Sequence, residues 1–60
     1  MDQSYIEDIF ELASRYNTDD NFGYDNAMSG CRDIAQLHAR PWEWVASDFE
    51  VACNEIKNIV

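Results

Sequence analysis

Residues 40–60, RPWEWVASDFEVACNEIKNIV, decide the fold of this chain. They hold its only proline and both of its tryptophans. Trp42, Val45, Ala46, Phe49, Cys53, Ile56 and Val60 recur at spacings of three and four, the pattern of one buried helical face. At about 100° per residue, Trp44 and Val51 fall on the opposite side, where a lone small domain meets water. Ser47 and Glu50 have the spacing of a capping box, which would split the segment. The stripe runs unbroken across them and favours one helix over 41–60, about 28 Å long. Pro41 suits the start of that helix, and Arg40 before it is pushed out of the α region, so the preceding helix ends here. So short a link makes the flanking helices neighbours, antiparallel or sharply crossed.

Working outward, the pattern predicts a helix over 24–39 with Tyr24, Ala27, Met28, Cys31, Ile34, Ala35 and His38 on one side. Ala27, Gly30, Cys31 and Ala35 are small enough for a neighbouring helix to approach closely, although Gly30 in mid-helix costs about 1 kcal/mol relative to alanine. Leu37 lies off this stripe, towards the third helix. A helix over 4–17 is predicted by a Ser4–Glu7 capping box and an inward stripe of Tyr5, Ile9, Leu12, Ala13 and Tyr16. Met1 belongs to its short lead-in. Its outer face carries Glu7, Asp8, Glu11 and Arg15, with Glu11 and Arg15 spaced as an i,i+4 ion pair. Glu7 and Asp8 lie towards the positive end of the helix dipole. The intervening NTDDNFG, residues 17–23, is rich in turn formers, and Phe22 and Tyr24 are expected to fold back over the bundle end. The predicted architecture is all-α: a small three-helix bundle in a single domain, 1–60, with helices at about 4–17, 24–39 and 41–60.

Charge narrows the function. Twelve Asp and Glu oppose four Lys and Arg, a formal net charge of −8. Residues 1–30 carry seven acids and one base, whereas residues 31–60 carry five acids and three bases. Direct nucleic-acid binding requires Lys and Arg to neutralise phosphates, so this balance argues against it, and against an anionic membrane surface likewise. The acidic, polar start MDQSYIED does not read as a signal peptide and no stretch reads as a membrane span, so a cytoplasmic location is expected. Two cysteines are too few for a secreted disulfide scaffold. Sixty residues bury only about 60% of their unfolded surface. Support from a partner or a second copy is therefore reasonable.

Candidate chemistry is sparse. The acidic loop offers no calcium register, because Phe22 or Gly23 and Met28 or Gly30 fall where such a loop needs its ligands and its glycine. Cys31 and Cys53, on inward stripes offset by about one turn, read as buried free thiols rather than a disulfide. The single histidine leaves no zinc spacing, and His38 reads as a packed helix-end residue. The serines lack a base and orienter, so neither enzymatic activity nor a cofactor or metal is expected. Acids at Asp25 and Asp33 oppose a DNA-reading helix. A small-molecule site would need a pocket that so small a core hardly holds.

Two features remain as candidate partner-binding sites. One is the acidic run of Glu7, Asp8 and Glu11 with Asp19, Asp20 and Asp25 around the loop. Helical carboxylates three or four residues apart form a dense row of negative charge, suited to a basic groove built for phosphates. The other is the outward stripe of Trp44, Asp48, Val51 and Glu55, an apolar anchor ringed by acids. In size and charge, and in no motif, the chain resembles the small phage-encoded inhibitors of bacterial defence nucleases or transcription machinery. That resemblance implies an anti-CRISPR, anti-restriction or transcription inhibitor acting in the host cytoplasm. The expected function is thus a protein-binding inhibitor that occupies the basic, nucleic-acid-handling surface of a partner protein. The alternative is a structural or assembly module that homodimerises through the C-terminal helix.

Overall fold

The computed structural model describes residues 2–59; Met1 and Val60, assigned above to the lead-in and to the last position of the stripe, lie outside the described residues. Among the described residues there are three helices: α1 (Gln3–Thr18), α2 (Tyr24–His38) and α3 (Trp42–Ile59). Each packs on the other two, with α1 against α3 the most extensive pairing. His38 at the end of α2 meets Asp2 and Asp8 at the start of α1, while Tyr16 and Tyr24 meet at the other end, so α1 and α2 run antiparallel.

Caps explain where the helices begin and end. The first cap is Asp2 rather than Ser4: its Oδ1 accepts the Ser4 N–H at 3.0 Å, and α1 starts at Gln3. Its carboxylate therefore sits at the positive end of the dipole, and Glu7 and Asp8 lie beyond the first turn. Glu7 instead accepts from Gln3 Nε2 at 3.4 Å. After α1, Asp19 builds the turn. Its Oδ1 accepts the Asn21 N–H at 3.0 Å and its carbonyl accepts the Phe22 N–H at 3.0 Å, an Asx turn that returns the chain to the bundle.

The link between α2 and α3 is tighter than proline alone dictates. Ala39 adopts the left-handed conformation, φ 54° and ψ 47°. The Arg40 N–H reaches back to the Ala35 carbonyl at 2.9 Å and the Ala39 N–H to Gln36 at 3.4 Å. This is a Schellman cap with alanine where glycine is usual. It ends α2 at His38, one residue earlier than predicted. The Pro41 carbonyl then accepts from Trp44 at 3.1 Å and Val45 at 3.3 Å to open α3. No break occurs at Ser47.

The core follows the predicted stripes closely. Tyr5, Ile9 and Ala13 of α1 pack with Ala27, Cys31, Ile34 and Ala35 of α2 and with Val45, Phe49, Ala52 and Cys53 of α3. Ala52, three residues beyond Phe49, completes the α3 face. At Gly30 the Leu12 side chain of α1 fills the space of a side chain: a Cβ there would lie 2.7 Å from Leu12 Cδ1. Both thiols are free and buried, and burial, with a lesser contribution from nearby Cys53, pushes Cys31 up to about 11.

Three side chains leave their predicted places. Trp42, assigned to the core, is 43% exposed, because the first turn of α3 has no helix above it; its ring lies beside α2 under the Arg32 guanidinium, 5.0 Å away. Tyr24 is 61% exposed, whereas Phe22 packs against the core as expected. Leu37, expected against the third helix, is 74% exposed and borders a shallow groove between α1 and α2.

Candidate functional site

Polar side chains gather first where the start of α1, the end of α2 and α3 meet. Tyr5 is buried, and its hydroxyl donates to Asp48 Oδ2 at 2.5 Å across 43 residues of chain. Burial, reinforced by that bond, pushes the Tyr5 phenol up to about 12. His38 lies edge-on to the Tyr5 ring with centroids 5.4 Å apart, and the Arg40 guanidinium covers the ring at 4.2 Å. Nε2 of His38 is 2.8 Å from Asp8 Oδ2, and Nδ1 is 3.8 Å from Asp2 Oδ2. Since a carboxylate only accepts, Nε2 carries the hydrogen. Among the described residues no buried polar side-chain atom lacks a partner, so this junction is a satisfied network.

That network draws in two residues from the predicted binding set, Asp8 and Asp48. Each helps to hold the helices together as well as carrying surface charge. The other acids are placed differently. Glu7 and Glu11 are exposed on α1, Asp19 and Asp20 in the loop, and Asp25 in the first turn of α2. No Lys or Arg nitrogen lies within 4.0 Å of a carboxylate among the described residues, where only His38 makes ion pairs. The predicted Glu11–Arg15 pair is absent, because Arg15 turns its guanidinium onto Phe22, 4.9 Å from the ring centroid. Arg32 covers Trp42 and Arg40 covers Tyr5 in the same way. Every arginine of the chain is thus laid on an aromatic ring, a contact worth about 0.5–1 kcal/mol at exposed sites. Glu7, Glu11, Asp19, Asp20 and Asp25 make no ion pair among the described residues, although Arg15 lines the same groove as Glu11.

Three grooves run between the helices. Asp8 and Glu11 border the α1–α2 groove of about 270 Å³, joined by Asp33 and Leu37. Asp48, Val51 and Glu55 line the α1–α3 groove of about 200 Å³ together with Ile6 and Phe10. Trp44 belongs to the same helical stripe, one turn before Asp48, but stands outside these grooves with 64% of its surface exposed. The predicted apolar patch is therefore two features, a free tryptophan and a shallow groove around Val51.

The largest groove, about 630 Å³, was not anticipated. Tyr16, Tyr24, Met28, Trp42 and Phe49 line it, and Glu43, Glu50 and Lys57 stand along its α3 edge. It is an open groove on the surface rather than a cavity in the core, so the expectation that so small a core hardly holds a pocket is not contradicted. The signal for it lies in two stripes, Tyr24 and Met28 of α2 and Trp42 of α3, which helical periodicity assigns to the core.

Comparison with known proteins gives no matching family model, no matching curated protein and no matching solved structure. No helix among the described residues is long and apolar enough to cross a membrane, and no cluster of three or more His, Cys, Asp or Glu there is arranged to hold a metal ion. Fold and surface together define a small all-α bundle with an acidic face and an open aromatic groove.

Proposed function

We propose that this protein binds the basic, nucleic-acid-handling surface of a partner protein and inhibits it by occupying that surface. The observation that carries the reading is the uncompensated acidic face: Glu7, Glu11, Asp19, Asp20 and Asp25 are exposed, with no Lys or Arg within ion-pair distance. Carboxylates so placed are open to a partner's Lys and Arg without first breaking an internal pair, and their field steers a basic surface towards them. Trp44, exposed on α3, supplies an apolar anchor, as aromatics do at the centres of interfaces. Inhibition of a defence nuclease or of transcription is the role that size and charge suit best.

Capture from a nuclease-treated lysate tests this reading. The wild-type bait is expected to retain a basic protein at low salt and release it at high salt. A Glu7→Lys, Glu11→Lys, Asp25→Lys bait should retain none. Asp8 is left unchanged because it holds His38. Retention by the reversed bait, or no salt-sensitive basic partner at all, defeats the proposal.

A second reading, homodimerisation through α3, draws on the exposed stripe of Trp44 at 64% and Val51 at 55%. Light scattering separates it: a stable dimer dissolved by Trp44→Asp supports it, and a monomer removes it.

A further inference from the structure

We infer that the groove between α2 and α3 seats an amphipathic helix of the partner, with apolar side chains against Trp42, Met28 and Phe49 and basic side chains at Glu43 and Glu50. This rests on the reading that the partner is a basic protein. It adds a second contact, separate from the acidic face of α1, and a register for it.

The α3 edge of the groove has the spacing a docked helix needs. Glu43, Ala46, Glu50, Cys53 and Lys57 all line it and follow one another at steps of three, four, three and four. That is the repeat by which helices pack along a shared seam. Ala46 and Cys53 are the small members, so a second helix can lie close between the charged ones. The charged members, Glu43, Glu50 and Lys57, recur every seven residues, about 10.5 Å apart along the axis. A complementary helix carries a base, a base and an acid at the same interval. The α2 wall is apolar, with Met28 half-buried and adaptable and Tyr24 61% exposed, and Trp42 at the start of α3, 43% exposed, adds unfilled aromatic surface at one end of the groove. Arg32, stacked on Trp42, holds that ring in place.

Charge also selects against a second copy. A parallel copy sets Glu43, Glu50 and Lys57 each against itself; an antiparallel copy centred on Glu50 opposes Glu50 to Glu50 but pairs Glu43 with Lys57 on both sides, so there only the overall charge stands against it. Both bring together chains of net charge −8. A partner helix with the basic pattern meets neither penalty.

The two tryptophans supply the test, because Trp42 lines the groove and Trp44 does not. Trp44→Phe leaves Trp42 as the sole reporter, and Trp42→Phe leaves Trp44; both positions are exposed, so the fold tolerates the changes. The probe is a helical peptide with Leu at the seam and Lys, Lys and Glu at seven-residue intervals. Its control exchanges these charges for Glu, Glu and Lys. The Lys-first peptide is expected to move Trp42 emission to shorter wavelength saturably, leave Trp44 unmoved, and bind at least about tenfold tighter than the control. Glu43→Lys with Glu50→Lys should invert the preference. Equal responses from both tryptophans, equal affinity for both peptides, or no saturable Trp42 response overturns the inference. So does a Trp42 shift on raising protein concentration alone with a doubled mass, the mark of a second copy. Capture of a basic protein with no Trp42 response to that protein sinks the groove and leaves the acidic-face proposal standing. A saturable peptide response without any captured partner upholds the groove and fails the proposal.

Discussion

Carboxylates at the helix junction and carboxylates on the outer face of α1 are chemically alike, yet the chain uses them differently. At the junction Asp2, Asp8 and Asp48 are each taken up by His38 or by Tyr5. Along α1 and the loop, Glu7, Glu11 and Asp20 meet no cation, and the arginines that might have answered them lie on aromatic rings. The difference teaches that acidity here serves two ends. Inner acids tie distant parts of the chain together; outer acids are exposed and make no ion pair among the described residues, and the proposed function gives them to a partner.

The largest effect expected of the inner set is alkaline unfolding. Tyr5 stays protonated up to about 12, against an ordinary 10.0, and Cys31 up to about 11, against 9.0. Both folded values are raised, so the stabilisation is complete below pH 9 and is lost as pH rises through 11 to 12. Both act in a domain whose total stability is only about 3–9 kcal/mol. Circular dichroism should show unfolding within that window, and a helical signal unchanged to pH 12 would show that the junction contributes little.

Next in size is Tyr5→Phe. It keeps the ring and removes only the hydroxyl that Asp48 accepts from, so it should cost about 1.5–3 kcal/mol at neutral pH in a urea titration. The variant should also lose the later part of the alkaline transition. A cost below half a kcal/mol would place Asp48 with the outer acids instead.

How much of this was legible in the sequence varies with the range of the interaction. Helical periodicity is local, and it placed all three helices and nearly all of the core. The Tyr5–Asp48 bond joins residues 43 apart, and no spacing rule connects them. Asp48 therefore read as a surface acid on the Trp44 stripe. Glu11 and Arg15 have the spacing of a pair, but an exposed pair gains only a few tenths of a kcal/mol, and Phe22 offered Arg15 a better surface. Trp42 shares the angular position of Val45 and Phe49, but angle alone does not say that a first-turn residue overhangs the end of the core. The large groove was missed for that reason.

A smaller effect concerns the link between α2 and α3. Ala39 pays for a left-handed conformation that disfavours a side chain by about 1–2 kcal/mol. Ala39→Gly relieves it, less the added entropy of the unfolded glycine, and should stabilise by about 0.5–1 kcal/mol. An unchanged or lowered urea midpoint would contradict the cap described here.

The smallest expected change in stability gives the most direct test of the central claim. In Glu7→Gln, Glu11→Gln, Asp25→Asn the outer charges are removed without touching the junction. Thermal stability should move by no more than about 0.5 kcal/mol. The informative measurement is the affinity of this variant and of Tyr5→Phe, at conditions where both are folded, for the basic partner recovered by capture, as a function of salt. The account predicts that the outer variant binds more weakly with a shallower salt dependence, while Tyr5→Phe binds as wild type does despite its lower stability. Equal binding by wild type and the outer variant, with the same salt dependence, would contradict it.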